Sequence, residues 1–154
     1  MKKTALFFLM MFAFFSCSEK TIVEEVVAKH EDGSRKEVRY HEVNKDGSKT
    51  CVRETWYYEE GMKYLDGPIV DGKRNGTFES YYKSGAIMSR GEFVDGKRVG
   101  KATAYHENGK VRYEGVYENG VERGIWKFYD EEGNFMYEVY CVLFWNGMTS
   151  KSFG

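Results

Sequence analysis

The segment DGKRNGTFESYYKSG, Asp71–Gly85, is followed twenty-four residues later by DGKRVGKATAYHENG, Asp95–Gly109. Both segments carry a Gly-Lys-Arg-x-Gly phrase, and a tyrosine and a glycine follow it at the same offsets. The surrounding chain divides without gaps into four rows of 24 residues, which begin at Val52, Gly76, Gly100 and Gly124. Self-similarity at a fixed period of this length is typical of repeat proteins. The sequence therefore predicts an array of repeats.

The rows share several columns of identical residues. Tyrosine fills one column, at Tyr57, Tyr81, Tyr105 and Tyr129. Glycine fills three more columns, at Gly61, Gly85, Gly109 and Gly133; at Gly67, Gly91 and Gly115; and at Gly72, Gly96 and Gly120. Because so many columns agree, chance does not account for the alignment, and each row is expected to be one structural unit.

Each row has the chemistry of a β-hairpin. The segments TFESYY and VRYEGVY are aromatic and β-branched with partial alternation, as strands are. Turn segments such as YEEGM and YKSGA place a glycine where a three-residue loop ending in a G1 bulge requires a positive φ. The VDG segments reverse the chain again and lead into the next row. We therefore expect an all-β protein, an elongated antiparallel meander of hairpins.

Three glycines interrupt the interiors of predicted strands: Gly67, Gly91 and Gly115. A glycine inside a strand usually marks a bulge or a close packing contact. We expect each of the three to leave room for an aromatic side chain from the neighbouring hairpin. On this hypothesis, Gly91→Val overpacks the site and costs about 1–3 kcal/mol of stability.

The columns G-x-[aromatic]-x-x-Y-x-x-x-G and G-x-[FY]-x-x-G resemble the MORN repeat in its bacterial second variant, well over residues 52–140 and loosely over residues 21–51. The resemblance implies hairpins stacked into a twisted antiparallel sheet, with glycines and aromatic residues in chiefly architectural roles. It implies a protein-binding or scaffolding module. Bacterial members are often labelled antitoxins, so an antitoxin or immunity protein that neutralises a partner toxin is the alternative. That role needs a cytoplasmic toxin, whereas the first residues of this sequence predict an export signal.

The first residues, MKKTALFFLMMFAFFSC, have the layout of that signal. Lys2 and Lys3 precede an apolar run that is shorter than the roughly 20 residues of a membrane span. The ending FFSC resembles the lipobox of bacterial lipoproteins, in which the cysteine becomes the acylated N-terminus. We therefore expect residues 1–16 to be a signal peptide and Cys17 to anchor the protein in the cell envelope, at its outer-membrane, periplasmic or surface face. Cleavage and secretion without lipid is the alternative.

The predicted domain organisation follows from these segments. Residues 17–51 form a tether and a divergent hairpin or cap, residues 52–147 the four hairpin repeats, and residues 148–154 a C-terminal tail. The predicted strands of the cap are Thr21–His30, Arg35–Val43 and Lys49–Tyr58. The apolar segment VYCVLFW, residues 139–145, is expected to be covered by the tail. The alternative is a strip at which a partner adds a strand.

Composition and motifs limit the function classes. Without residues 1–16 the chain has 21 basic and 24 acidic residues, a net charge of −3, which argues against a nucleic-acid partner. The sequence has no G-x-S-x-G, HExxH, phosphate-loop or Cys/His metal pattern. We therefore expect no catalytic residues, no enzyme activity, no cofactor, no metal and no small-molecule substrate. The expected partners are the membrane and an unidentified envelope protein. Cys51 and Cys141 would lie about 35 Å apart in the meander, which is too far for a disulfide.

Eight residues are candidates for binding. The tyrosines of the repeat column form either an aromatic ladder for recognition or packing between hairpins. They are Tyr57, Tyr81, Tyr105 and Tyr129. The Gly-Lys-Arg phrases place four basic residues along one edge of the array, where they meet phosphates, lipid headgroups or an acidic partner, or else protect the edge. These are Lys73, Arg74, Lys97 and Arg98. The three histidines are expected to be solvent-facing or turn residues.

Overall fold

The fold is known from a computed structural model, which describes residues 20–143 and 149–153. The predicted signal peptide and Cys17 lie outside the described residues. The described residues form strands and turns. The strands are β1 Thr21–Lys29, β2 Arg35–Val43, β3 Lys49–Tyr57, β4 Lys63–Val70, β5 Lys73–Arg74, β6 Gly76–Tyr81, β7 Ile87–Val94, β8 Lys97–Tyr105, β9 Val111–Glu118, β10 Val121–Tyr129, β11 Phe135–Leu143 and β12 Thr149–Phe153.

The strands lie side by side in chain order in one open sheet, and each pair is antiparallel. The two-residue strand β5 stands outside this order and pairs with β4. This arrangement confirms the predicted all-β antiparallel meander. The cap strands end at Lys29 and Tyr57, one residue before the predicted ends.

Two kinds of turn alternate between the two edges of the sheet. At one edge, Gly85 has a φ of +87° and its N–H donates to the Tyr82 carbonyl over 2.9 Å, as a G1-bulge loop requires. At the other edge, Asp71 and Gly72 have φ values of +50° and +74°, which match a two-residue type I′ turn. We call these edges the loop edge and the DG edge. The repeated DG dipeptide therefore specifies the tight reversals.

Strand alternation gives the sheet two different faces. One, the ring face, carries rings such as Phe78 and Phe93, whose centroids lie 5.0 Å apart. The other, the charged face, carries paired ionic side chains such as Glu79 and Arg90. The ring face holds a buried cluster of Ala102, Trp126 and Val139, against which Tyr113, Tyr117, Phe128 and Cys141 pack.

Glycine on one strand makes room for a ring on the next. A β-carbon at Gly67 would lie 2.5 Å from the ring of Phe78, and one at Gly115 would clash with the ring of Trp126. The expectation is therefore confirmed at these two positions. It is wrong at Gly91, where the repeat places Ala102 instead of a ring. There the guanidinium of Arg98 fills the space, 2.7 Å from where a β-carbon would stand.

The C-terminal strands extend the sheet in the same way. Strand β12 pairs with β11, with Val139 opposite Phe153 at one end and Leu143 opposite Thr149 at the other. This pairing agrees with the expectation that the tail covers the apolar strip. Residues 144 and 145 of that strip lie outside the described residues. Cys51 on β3 and Cys141 on β11 are separated by six strands, so the sheet does not bring them together.

The ring-over-glycine contact predicts unequal effects of one added methyl group. We expect Gly115→Ala to destabilise the protein by about 1–3 kcal/mol, because the Trp126 indole and the backbone cannot both keep their places. Gly91→Ala is expected to cost less, since the end of the flexible Arg98 side chain can move away. Urea denaturation of both variants measures the difference, and equal losses would contradict this packing scheme.

Candidate functional site

The basic residues of the Gly-Lys-Arg phrases separate in the structure. Arg74 turns onto the ring face, where its guanidinium lies 5.0 Å from the ring centroid of Phe78 and 5.8 Å from that of Phe93. Its Nη2 atom is 2.6 Å from a carboxylate oxygen of the buried Glu54. Arg98 occupies the same place one repeat later, 4.9 Å from the ring centroid of Tyr117. Both arginines are therefore part of the packing.

The two lysines stay at the DG edge. Lys97 is exposed, and Lys73 places its Nζ atom 3.7 Å from the Asp95 carboxylate. The backbone joins the turns here, since the N–H of Gly96 donates to the Arg74 carbonyl over 2.8 Å. The four basic residues do not form one free basic stripe, because only the lysines face solvent.

Ion pairs cross neighbouring strands on the charged face. Arg90 contacts Glu79 over 2.5 Å, and Lys101 contacts Glu114 over 2.8 Å. Towards the N-terminus, the buried Asp66 accepts hydrogen bonds from Arg53 Nε over 2.7 Å and from the Thr55 hydroxyl over 2.8 Å. The same face also carries the Lys63–Asp66 ion pair, at 3.3 Å, and the strand register places Lys127 directly opposite Glu138.

The tyrosine column lies on the charged face, close to the loop edge. The Tyr81 hydroxyl donates to Glu79 over 2.7 Å, and the Tyr129 hydroxyl donates to Glu114 over 3.2 Å. Tyr57 shares a 3.2 Å hydrogen bond with the hydroxyl of Tyr40. All of the column's side chains are partly buried.

Burial, reinforced by these hydrogen bonds, raises two phenol pKa values on this face. The pKa of Tyr81 is raised to about 12 by burial and by its bond to Glu79. The pKa of Tyr57 is likewise raised to about 12 by burial and by its bond to Tyr40. Both hydroxyls therefore stay protonated at neutral pH. This face thus presents neutral phenols between balanced ion pairs.

Sequence reasoning missed the residue that follows each tyrosine of the column. The Tyr58 hydroxyl donates to the Tyr81 carbonyl over 3.0 Å, and the Tyr82 hydroxyl to the Tyr105 carbonyl over 2.8 Å. The Nε2 atom of His106 donates to the Tyr129 carbonyl over 2.9 Å. These bonds join successive repeats along the loop edge. The signal was the recurrence of long hydrogen-bonding side chains in the column Tyr58, Tyr82 and His106.

The histidines accordingly have structural roles. His30 and His106 both begin loop-edge turns, as expected, and His30 Nε2 donates to the Tyr57 carbonyl over 2.9 Å. For His41 the expectation is wrong, because this residue lies half-buried within β2, with its Nε2 atom 2.9 Å from Glu25. No group of three or more His, Cys, Asp or Glu side chains within residues 20–143 is placed to hold a metal ion.

Nowhere in the described ranges does the chain form a helix suited to crossing a membrane.

Known proteins share the repeat. A family model described as a MORN repeat variant matches residues 74–95 and 98–119. No curated protein matches the chain. Among solved structures, the crystal structure of TarM aligns with 86% of this chain at 17% sequence identity and a TM-score of 0.34. The aligned part is 21% of the TarM chain, so this chain spans about a fifth of that protein's length.

The position of Arg74 predicts a stability effect that a free basic residue would not have. We expect Arg74→Met to cost about 1–3 kcal/mol, because the methionine keeps the apolar contact but leaves the Glu54 carboxylate buried without its cation. Lys97→Met is the matched control, with an expected change within about 0.5 kcal/mol at an exposed position. Denaturant titration of both variants measures this, and similar small changes would contradict a packing role for Arg74.

Asp66 predicts a pH dependence of stability. Burial opposes its ionisation, but hydrogen bonds from Arg53 and Thr55 and the charges of Arg53 and Lys63 lower its pKa below the ordinary 3.8. Because the folded-state pKa is the lower one, the stabilisation is present above the unfolded-state value and is lost as pH falls through the folded-state value. Asp66→Asn should therefore cost most above about pH 4 and progressively less in stronger acid. Denaturation curves of both proteins over a range of acidic pH measure this loss of stability, and a loss that does not change with pH would refute the role of the Asp66 carboxylate.

Proposed function

We propose that this protein, which carries MORN repeats at residues 74–95 and 98–119, is a membrane-anchored binding module of the cell envelope. Cys17 carries the lipid, and the charged face holds a protein partner. MORN-type all-β repeats are typically non-catalytic and suit binding through a repeated surface. The observation that carries the proposal is the series of ion pairs from β3 to β9 on one face, which phenols continue to β11.

The chemistry of the charged face supports protein recognition. Tyrosine presents a large contact area at a small entropic cost, and its hydroxyl forms specific hydrogen bonds. The ion pairs on either side favour a partner with complementary charges, which steers association and sets its register. The row of paired charges resembles the polar part of an interface, which needs an apolar centre elsewhere.

The distal end of the charged face supplies such a centre. Ile125 and Tyr140 are directly opposed on β10 and β11, and their side chains are 43% and 44% exposed. Met136 and Phe135 are 57% and 56% exposed and line a cavity of about 520 Å³ with Tyr140. Exposed apolar patches bordered by polar residues mark interaction sites. The partner therefore docks chiefly at β10 and β11, with the ion pairs at its border.

Anchorage at Cys17 would orient the array. Only three residues separate Cys17 from Thr21, the first residue of β1, so β1 starts within about 14 Å of the acylated cysteine. Nine strand spacings separate β1 from β11, which corresponds to about 40 Å. The docking end would thus stand away from the bilayer surface, with the sheet acting as a spacer.

Lipid attachment is tested with a clickable palmitate analogue in the native bacterium. We expect label and membrane fractionation in the wild type, and loss of both in Cys17→Ala, because acyl chains supply the membrane affinity. Cys51→Ala is the matched control and should keep both. An unlabelled wild type, or label that persists in Cys17→Ala, would end the anchoring part of the proposal.

The docking patch is tested with a photo-crosslinking amino acid placed at two exposed positions. Tyr140 lies in the patch on β11 and is 44% exposed, whereas Val70 lies on β4, six strand spacings away, and is 48% exposed. We expect one crosslinked protein from position 140 and none from position 70. Equal crosslinking from both positions, or from neither, would contradict docking at β10 and β11. A crosslinked toxin would identify the antitoxin alternative.

A further inference from the structure

A cavity of about 410 Å³ opens where the N-terminal cap meets the first 24-residue row. Its walls are aromatic: Trp56, Tyr57, Tyr58 and Tyr64. Its rim is charged and includes Lys36, Glu59, Glu60 and Lys83. It lies at the loop edge, about seven strands from the proposed docking patch on β10 and β11. Pockets of this size with a few convergent polar groups are the usual form of small-ligand sites.

The cavity is not a by-product of the repeat. Trp56 stands in a column that otherwise holds Ser80, Ala104 and Phe128, and Tyr64 in one that holds Met88, Arg112 and Met136. Residues that build the periodic sheet recur at 24-residue spacing, whereas this pair of rings occurs together at one junction. The departure from the repeat marks a local feature with its own chemistry.

The chain itself already places cations on these rings. The Nζ atom of Lys83 lies 5.6 Å from the ring centroid of Tyr58 and 2.6 Å from a carboxylate oxygen of Glu60. Tyr64 packs edge-to-face against Tyr58, with centroids 5.2 Å apart, and so forms a second wall. The guanidinium of Arg35 lies 5.7 Å from the ring centroid of Tyr57. Ring faces attract cations through their quadrupole, and carboxylates nearby add to that attraction.

We propose that this cavity binds an organic ammonium group, such as that of choline, and that the Lys83 ammonium is its intramolecular competitor. The ligand cation lies against Tyr58 and Tyr64 beside the glutamates. Lys83, whose side chain is 60% exposed, moves into solvent when the ligand enters. The site needs no lipid anchor, shares only Tyr57 with the charged face and lies far from the docking patch, so its test is independent of the proposed function.

Ligand-observed NMR on the full chain tests the cation with two probes of equal shape. We expect choline to bind at least about tenfold more tightly than 3,3-dimethyl-1-butanol, in which a neutral carbon replaces the ammonium nitrogen, because only choline gains the cation–π attraction. Equal binding of the two, or no binding of choline, would overturn the proposal and leave an apolar cleft.

A substitution of Lys83 tests the competitor. Lys83→Met should strengthen choline binding about tenfold, since it removes one cation–π and ion-pair competitor. Lys110→Met is the control, because Lys110 lies on the same edge but bonds a backbone carbonyl of Glu132. Thermal melts confirm that each variant is folded, and unchanged choline affinity in Lys83→Met would refute the competitor role.

Sedimentation with phosphatidylcholine vesicles distinguishes a lipid headgroup from a free solute as the source of the ammonium group. Sedimentation of the Cys17→Ala chain with vesicles, reversed by free choline, would assign the site to a lipid headgroup. Choline binding without vesicle binding would assign it to a free solute. Both results support the ammonium site and differ only in where the ligand comes from.

Discussion

The contact between an aromatic ring and a glycine on the adjacent strand holds this sheet together. A one-layer sheet has no second layer to cover its apolar face, so each repeat must cover the next. Phe78 lies over Gly67 and Trp126 over Gly115, and a β-carbon at either glycine would occupy the space of the ring. The ring thereby reaches the backbone itself and excludes water from it. The glycine columns follow from this need for close approach.

The repeated Gly-Lys-Arg phrase combines three roles in adjacent residues. The glycine completes the tight turn, the lysine stays at the exposed edge, and the arginine turns onto the ring face. Arg74 and Arg98 share a column but respond to different neighbours. Arg74 stacks on Phe78 and pairs with Glu54, whereas Arg98 fills the space that the small Ala102 leaves over Gly91. An arginine can serve both ways because its long stem can place the planar guanidinium either on a ring or in a gap.

Periodicity in the sequence was sufficient to predict the meander, both kinds of turn and the place of the interior glycines. It could not reveal which side chain fills the space over each glycine. Gly67 and Gly91 occupy the same column of the repeat, but the next strand places Phe78 over Gly67 and the small Ala102 opposite Gly91. Periodicity also missed the loop-edge bonds of Tyr58, Tyr82 and His106, since this column conserves the ability to donate a hydrogen bond and not the residue type. The cavity at Trp56 was missed because it depends on residues that break the repeat.

A double-mutant cycle between Gly115 and Trp126 tests the ring-over-glycine contact most directly. Free energies of unfolding are measured for the wild type, Gly115→Ala, Trp126→Ala and the double variant. If the ring needs the glycine, Gly115→Ala lowers the free energy of unfolding when Trp126 is present and changes it little in the Trp126→Ala background. The difference between the two effects is a coupling energy of about 1–3 kcal/mol. Strictly additive losses would mean that ring and glycine act independently, and would contradict this explanation of the fold.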